Sequence, residues 1–88
     1  MSVWIVELKL EPTDERLAAR PAHRERLARL HDDGVVRMAG PFADDSGAVV
    51  IVDAEDRTSV DGLLADDPYY ATDGVTVTSV REWRPFIT

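Results

Sequence analysis

The 88-residue sequence predicts an α+β fold built on a four-stranded antiparallel sheet, and three observations carry that expectation. Apolar residues recur at period two near the N-terminus, and three further β-rich runs follow along the chain. Two stretches between those runs have apolar residues at helical spacing. The two runs in the middle are separated only by a short polar loop of the kind that closes a hairpin. The resulting order, β-α-β-β-α-β, is that of the ferredoxin-like split βαβ unit, with both helices on one face of the sheet.

In the first strand, Val3 to Leu10, the residues Trp4, Val6, Leu8 and Leu10 share one face, while Val3 and Ile5 make the other face apolar near its start. Residues 11–20 read as a connector opened by Pro12 and Thr13, with at most a helical turn through Leu17 and Ala18. Pro21 suits the first turn of a helix, where its missing N–H is harmless. That helix is expected to run to about Asp33, with Leu27 and Leu30 as its buried stripe and Gly34 as a left-handed stop.

Val35 to Phe42 and Ala48 to Ala54 are two strands joined through Ala43–Gly47, hence an antiparallel pair. The second helix starts around Asp56 to Ser59, where capping side chains cluster, and carries the stripe Val60, Leu63, Leu64 as far as about Asp66. Asp67-Pro68 ends it, and Val75 to Arg84, rich in Val and Thr, is the last strand. One domain, residues 1–88, accounts for the whole length, with no internal repeat or linker.

A core of this size is modest, since small domains bury only about 60% of their unfolded surface. With both helices on one face, the other is bare. Trp4, Val6 and neighbouring apolar strand residues are expected to form a patch there that a second copy of the chain covers, giving a sheet-to-sheet homodimer.

Composition narrows the function classes. Hydrophobic residues at 44% and charged residues at 31% fit a folded domain and not a disordered one. Ten Lys and Arg stand against seventeen Asp and Glu, a net charge of −7 that disfavours nucleic acid and anionic membrane surfaces as partners. There is no cysteine, so disulfides, thiolate nucleophiles and sulfur-ligated metals are out of reach. His23 and His31 lack the spacing of a metal pair, and no glycine-rich phosphate loop or dinucleotide fingerprint is present, so neither a metal nor another cofactor is expected. The N-terminus has neither a basic segment nor a continuous apolar core of a signal peptide, and no run reaches the roughly 18 apolar residues of a membrane span. Cytoplasmic residence is the expectation that follows.

Two polar residues fall on apolar stripes. His23 shares a helix face with Leu27 and Leu30, so its ring turns towards the sheet either as a hydrogen-bonded core histidine or as a working imidazole. Asp67 continues the series Val60, Leu63, Leu64, and is alternatively the cap of the turn that Pro68 opens, accepting from Tyr69 or Tyr70. In a split βαβ unit the two helices lie side by side. An inward His and an inward Asp could then meet, the carboxylate fixing the imidazole tautomer and raising its basicity. Such a dyad suits proton abstraction or transfer. It lacks a nucleophile, because no Ser stands in a recognisable elbow.

Around it, Gly40-Pro41 marks a bulge, a strand end or a place where a ligand approaches bare backbone. Tyr69 and Tyr70 either close the core or wall a pocket. Arg20 is a solvated connector residue or a reach towards an anionic substrate group.

The succession Arg20-Pro21-Ala22-His23 with Leu27 and Leu30, then Ala39-Gly40-Pro41, then Ala65-Asp66-Asp67-Pro68-Tyr69, resembles that of the YciI-like (YCII-related) family over essentially the whole chain. The resemblance implies a ferredoxin-like fold, dimerisation into an α+β barrel, and an active-site His and Asp at His23 and Asp67. Relatives in that family and superfamily include dehydrochlorinases and muconolactone-type isomerases. The expected function is therefore a small enzyme that uses His23 and Asp67 as an acid/base dyad for elimination or isomerisation of a small organic substrate, with Arg20, Gly40, Pro41 and Tyr69 as substrate contacts. The competing expectation is a non-catalytic dimeric module that binds a small metabolite or acts beside another protein.

Overall fold

A computed structural model describes residues 1–88. The central strand, β1 (Ser2–Leu10), pairs antiparallel with both β3 (Gly47–Ala54) and β4 (Val75–Trp83), and β2 (Val36–Pro41) pairs antiparallel with β3 at the edge. The sheet order is β2-β3-β1-β4. Two helices, α1 (Asp14–Asp32) and α2 (Arg57–Ala65), and a 3₁₀ turn (Pro68–Ala71) complete the βαββαβ order.

Register decides which residues meet. Val6 lies opposite Val50, Trp4 opposite Val52 and Leu8 opposite Ala48, and these share the face that the helices cover. Val6, Val50, Val52 and Val60 are almost fully buried there, each contributing roughly 1.5–3 kcal/mol through removal from water. Trp4 and Val6 thus belong to the helix-covered core, not to the open face expected from the sequence. Leu8 and Leu10 continue their stripe while Glu7 and Lys9 interrupt the opposite face, so the helices cover the side that is apolar throughout. The open face carries Val3, Ile5, Val49 and Ile51, all half-buried, with Met38 and Trp83 exposed beside them.

The first helix also departs from expectation. It begins at Asp14, not Pro21, and Thr13 is its N-cap, with the Arg16 backbone N–H donating to Thr13 Oγ1 at 3.1 Å. Asp14 and Glu15 add negative charge where the helix dipole favours it. Pro21 lies inside the helix and is exposed, so the Leu17 carbonyl loses its partner on the solvent side. The far end is as expected: Gly34 adopts φ 82°, and the N–H groups of Gly34 and Val35 donate back to His31 and Leu30.

Elsewhere the elements fall within a residue or two of expectation. Asp56 caps α2 through Ser59. Gly40 and Pro41 stay in register with Val49 and Ala48, so the strand ends at Pro41, and the irregularity in β2 lies between Val36 and Met38 instead.

Candidate active site

Asp67 sits where α2 gives way to the 3₁₀ turn, and both of its oxygens are engaged. Oδ1 accepts from the Tyr69 backbone N–H at 3.0 Å, and Oδ2 lies 2.7 Å from His23 Nδ1. The cap and the inward carboxylate are therefore the same residue, one oxygen serving each purpose. Side chains of both partners are more than nine-tenths buried. An ionised carboxylate can only accept, so towards it Nδ1 is the donor, and in the neutral ring of that tautomer Nε2 holds the lone pair. Nε2 has no hydrogen-bond partner within the chain.

Aromatic rings fix the imidazole plane. Tyr69 stacks on His23 with ring centroids 3.9 Å apart and planes 9° from parallel, while Tyr70 meets it edge-on at 5.3 Å. Burial, and then the charge of Asp67, push the Tyr70 phenol far above its ordinary range, so it stays a neutral wall.

Beneath α1, between the helix and the outer half of the sheet, lies an open cavity of about 570 Å³. His23, Arg20, Gly40, Pro41 and Tyr69 all line it, so five of the six residues singled out from the sequence come together around one hollow. Asp67 stands behind His23 and does not reach the cavity wall. Tyr70 belongs to the packed side, next to Asp67.

A further cavity residue escaped the sequence reading. Arg16 is only 1% exposed, although it lines the same hollow. Its Nε donates to the Glu11 carbonyl at 2.7 Å, one terminal nitrogen donates to Asp45 Oδ2 at 2.9 Å, and the other lies 3.5 Å from the Tyr69 hydroxyl. The Tyr69 hydroxyl contact, then desolvation and Asp45, set its titration, with a net shift still further above an already high value. It is a permanent cation. The missed signal was Thr13-Asp14-Glu15, an N-cap followed by first-turn acids: starting the helix there sets Arg16, Arg20, His23 and Leu27 on one face at i, i+4, i+7 and i+11. No group of His, Asp and Glu side chains in the structure has a metal-holding arrangement. No helix is long and apolar enough to cross a membrane.

In solved structures, the fold is similar to 5-chloro-2-hydroxyhydroquinone dehydrochlorinase from Burkholderia phenoliruptrix AC1100, in complex with 2,5-dihydroxybenzoquinone, with a TM-score of 0.67 over 93% of each chain at 21% identity. Among curated proteins, the chain is 31% identical over 86 residues to Protein YciI of Escherichia coli O6:H1 (strain CFT073), covering 86% of this chain and 88% of that one. Protein YciI of Shigella flexneri matches to the same extent. The YCII-related domain matches residues 1–84, and the chain belongs to that family.

Proposed function

We propose that the chain is a small enzyme in which His23 Nε2 acts as general base and then acid on a small organic substrate held in the cavity under α1, with Asp67 as the residue that orients it. The observation that carries this reading is the 2.7 Å contact between His23 Nδ1 and Asp67 Oδ2, on a residue that lines the hollow and whose Nε2 has no partner within the chain. Elimination or isomerisation of a hydroxylated ring or enol fits, because neither needs more than a proton shuttle. In an elimination, Nε2 takes a proton from the substrate, the freed electron pair forms the new π bond, and the leaving group departs with its own pair. In an isomerisation the imidazolium returns the proton at a second position. A likeness in fold to a dehydrochlorinase supports the first of these, and we extend that activity class to this chain.

The sheet face with Val3, Ile5, Val49, Ile51, Met38 and Trp83 is proposed as the homodimer surface, residues 1–88 as one functional unit, and the cytoplasm as its place of action.

Turnover of 5-chloro-2-hydroxyhydroquinone is the test. Replacing a general base costs on the order of 10²–10⁴-fold, so His23→Asn is expected to lose that much rate while keeping its fold. Wild-type rates in His23→Asn and Asp67→Asn would remove the proposal.

Two observations favour a non-catalytic binding module instead: Asp67 also caps the 3₁₀ turn, and Tyr69 packs flat on His23. That role predicts a sharp fall in melting temperature for His23→Ala. A catalytic site, in contrast, tolerates such replacement or gains stability from it.

A further inference from the structure

The cavity is a basic spot on an acidic protein. Of seventeen Asp and Glu residues only Asp45 lines it, whereas Arg16, Arg20, Arg24 and Arg37 do so out of ten Lys and Arg. Arg37 is paired outside the hollow with Asp53, and Arg20 and Arg24 have no carboxylate partner. Low-dielectric walls concentrate such a field on whatever enters.

Arg16 is the deepest of these cations. A guanidinium has five N–H donors, and Arg16 spends one on Glu11, one on Asp45 and one on the long contact to Tyr69. Two remain, on a side chain that is almost wholly buried and faces the cavity. Its acidic partner is of a different character. Asp45 is 47% exposed at the side chain and lies in the β2–β3 loop at φ 60°, a position from which its carboxylate reaches back to the guanidinium. A half-solvated carboxylate on a buried arginine is an exchangeable ligand: another oxyanion can take its geometry while Asp45 turns to water.

We propose that Arg16 is an anion subsite of this cavity, occupied by Asp45 in the free protein and taken over by a carboxylate, phenolate or enolate oxygen of the substrate. The substrate class is then a small planar organic anion. This deepens the acid/base reading, on which it rests for identifying the hollow as the substrate site. It also gives the β2–β3 loop a role in selectivity, because a residue there competes with the ligand for one guanidinium.

Calorimetric titration with benzoate, and with benzamide as its neutral counterpart, tests this on the intact chain. Asp45→Asn removes the competitor at a surface loop and is expected to bind benzoate roughly tenfold more tightly than wild type, with benzamide unchanged. Adding Arg16→Lys, which keeps the charge and loses the planar fork, is expected to abolish that gain. Undetectable or unimproved benzoate binding by Asp45→Asn, an equal gain for benzamide, or a gain that survives Arg16→Lys would each overturn the proposal. These are binding readouts, so a failed subsite and a failed dyad, which is judged by turnover, are told apart.

Discussion

The two helices lie on one face of one sheet, yet they do opposite things there. Where α2 packs, Val60, Leu63 and Leu64 close on Val6 and Val52 together with Leu27 and Leu30 from the second half of α1, around a void of about 20 Å³. Under α1 the hollow is about 570 Å³. Two differences account for it. The α1 stripe is Arg16, Arg20 and His23 before it becomes Leu27, and charged side chains cannot collapse into a dry core without leaving donors unpaired. Opposite it, β2 offers Ala39, Gly40 and Pro41, which lack the bulk to fill the space. The α2 half thus holds the molecule together, and the α1 half keeps a site open.

That division can be broken by substitutions that act on one half only. Val60→Ala removes two methyl groups from a residue that is 1% exposed, and is expected to cost about 2–3 kcal/mol with the rate per folded molecule unchanged. Chemical denaturation beside turnover checks this. Equal loss of rate and stability would mean that the halves are not separable.

Gly74→Ala is expected to cost at least about 1 kcal/mol. Gly74 has φ 93°, and a methyl group there would run into Thr13 Oγ1 and the Glu11 carbonyl. Thr13 caps α1 and donates to the Asp73 carbonyl at 2.6 Å, and the Glu11 carbonyl holds Arg16 Nε, so this glycine seats the polar helix. Anion binding should weaken with stability in this variant, whereas Val60→Ala should leave it intact.

The smallest effect is a gain. Gly62 lies within α2 and nothing stands within 4 Å of where its Cβ would be, so Gly62→Ala should stabilise the chain by roughly 0.5–1 kcal/mol without touching the site. A thermal melt reads it directly.

Much of this was legible in the residues themselves. Period-two alternation located β1, and the hairpin and the second helix followed from turn and cap chemistry. His23 and Asp67 stood out because polar side chains on apolar stripes are conspicuous. What escaped in α1 was chiefly polar. The first two turns of α1 present Arg16 and Arg20 where hydrophobic periodicity looks for Leu or Val, and Pro21 imitated a helix start. Proline inside a helix costs about 3 kcal/mol relative to alanine, a strong local argument that tertiary packing overrode. The face taken by Trp4 and Val6 was misplaced for another reason: both faces of β1 start apolar, but only the stripe of Trp4, Val6, Leu8 and Leu10 continues so, against Glu7 and Lys9 on the other side, and that continuous stripe marks the covered face.

The protonation of the His23 ring tests the central claim most directly, through long-range ¹⁵N–¹H correlation of the histidine side chains near neutral pH. Orientation by Asp67 predicts a proton on Nδ1 and a bare, pyridine-like Nε2. A hydrogen on Nε2 with Nδ1 bare would contradict it, because the nitrogen proposed as the base would then have no lone pair to offer.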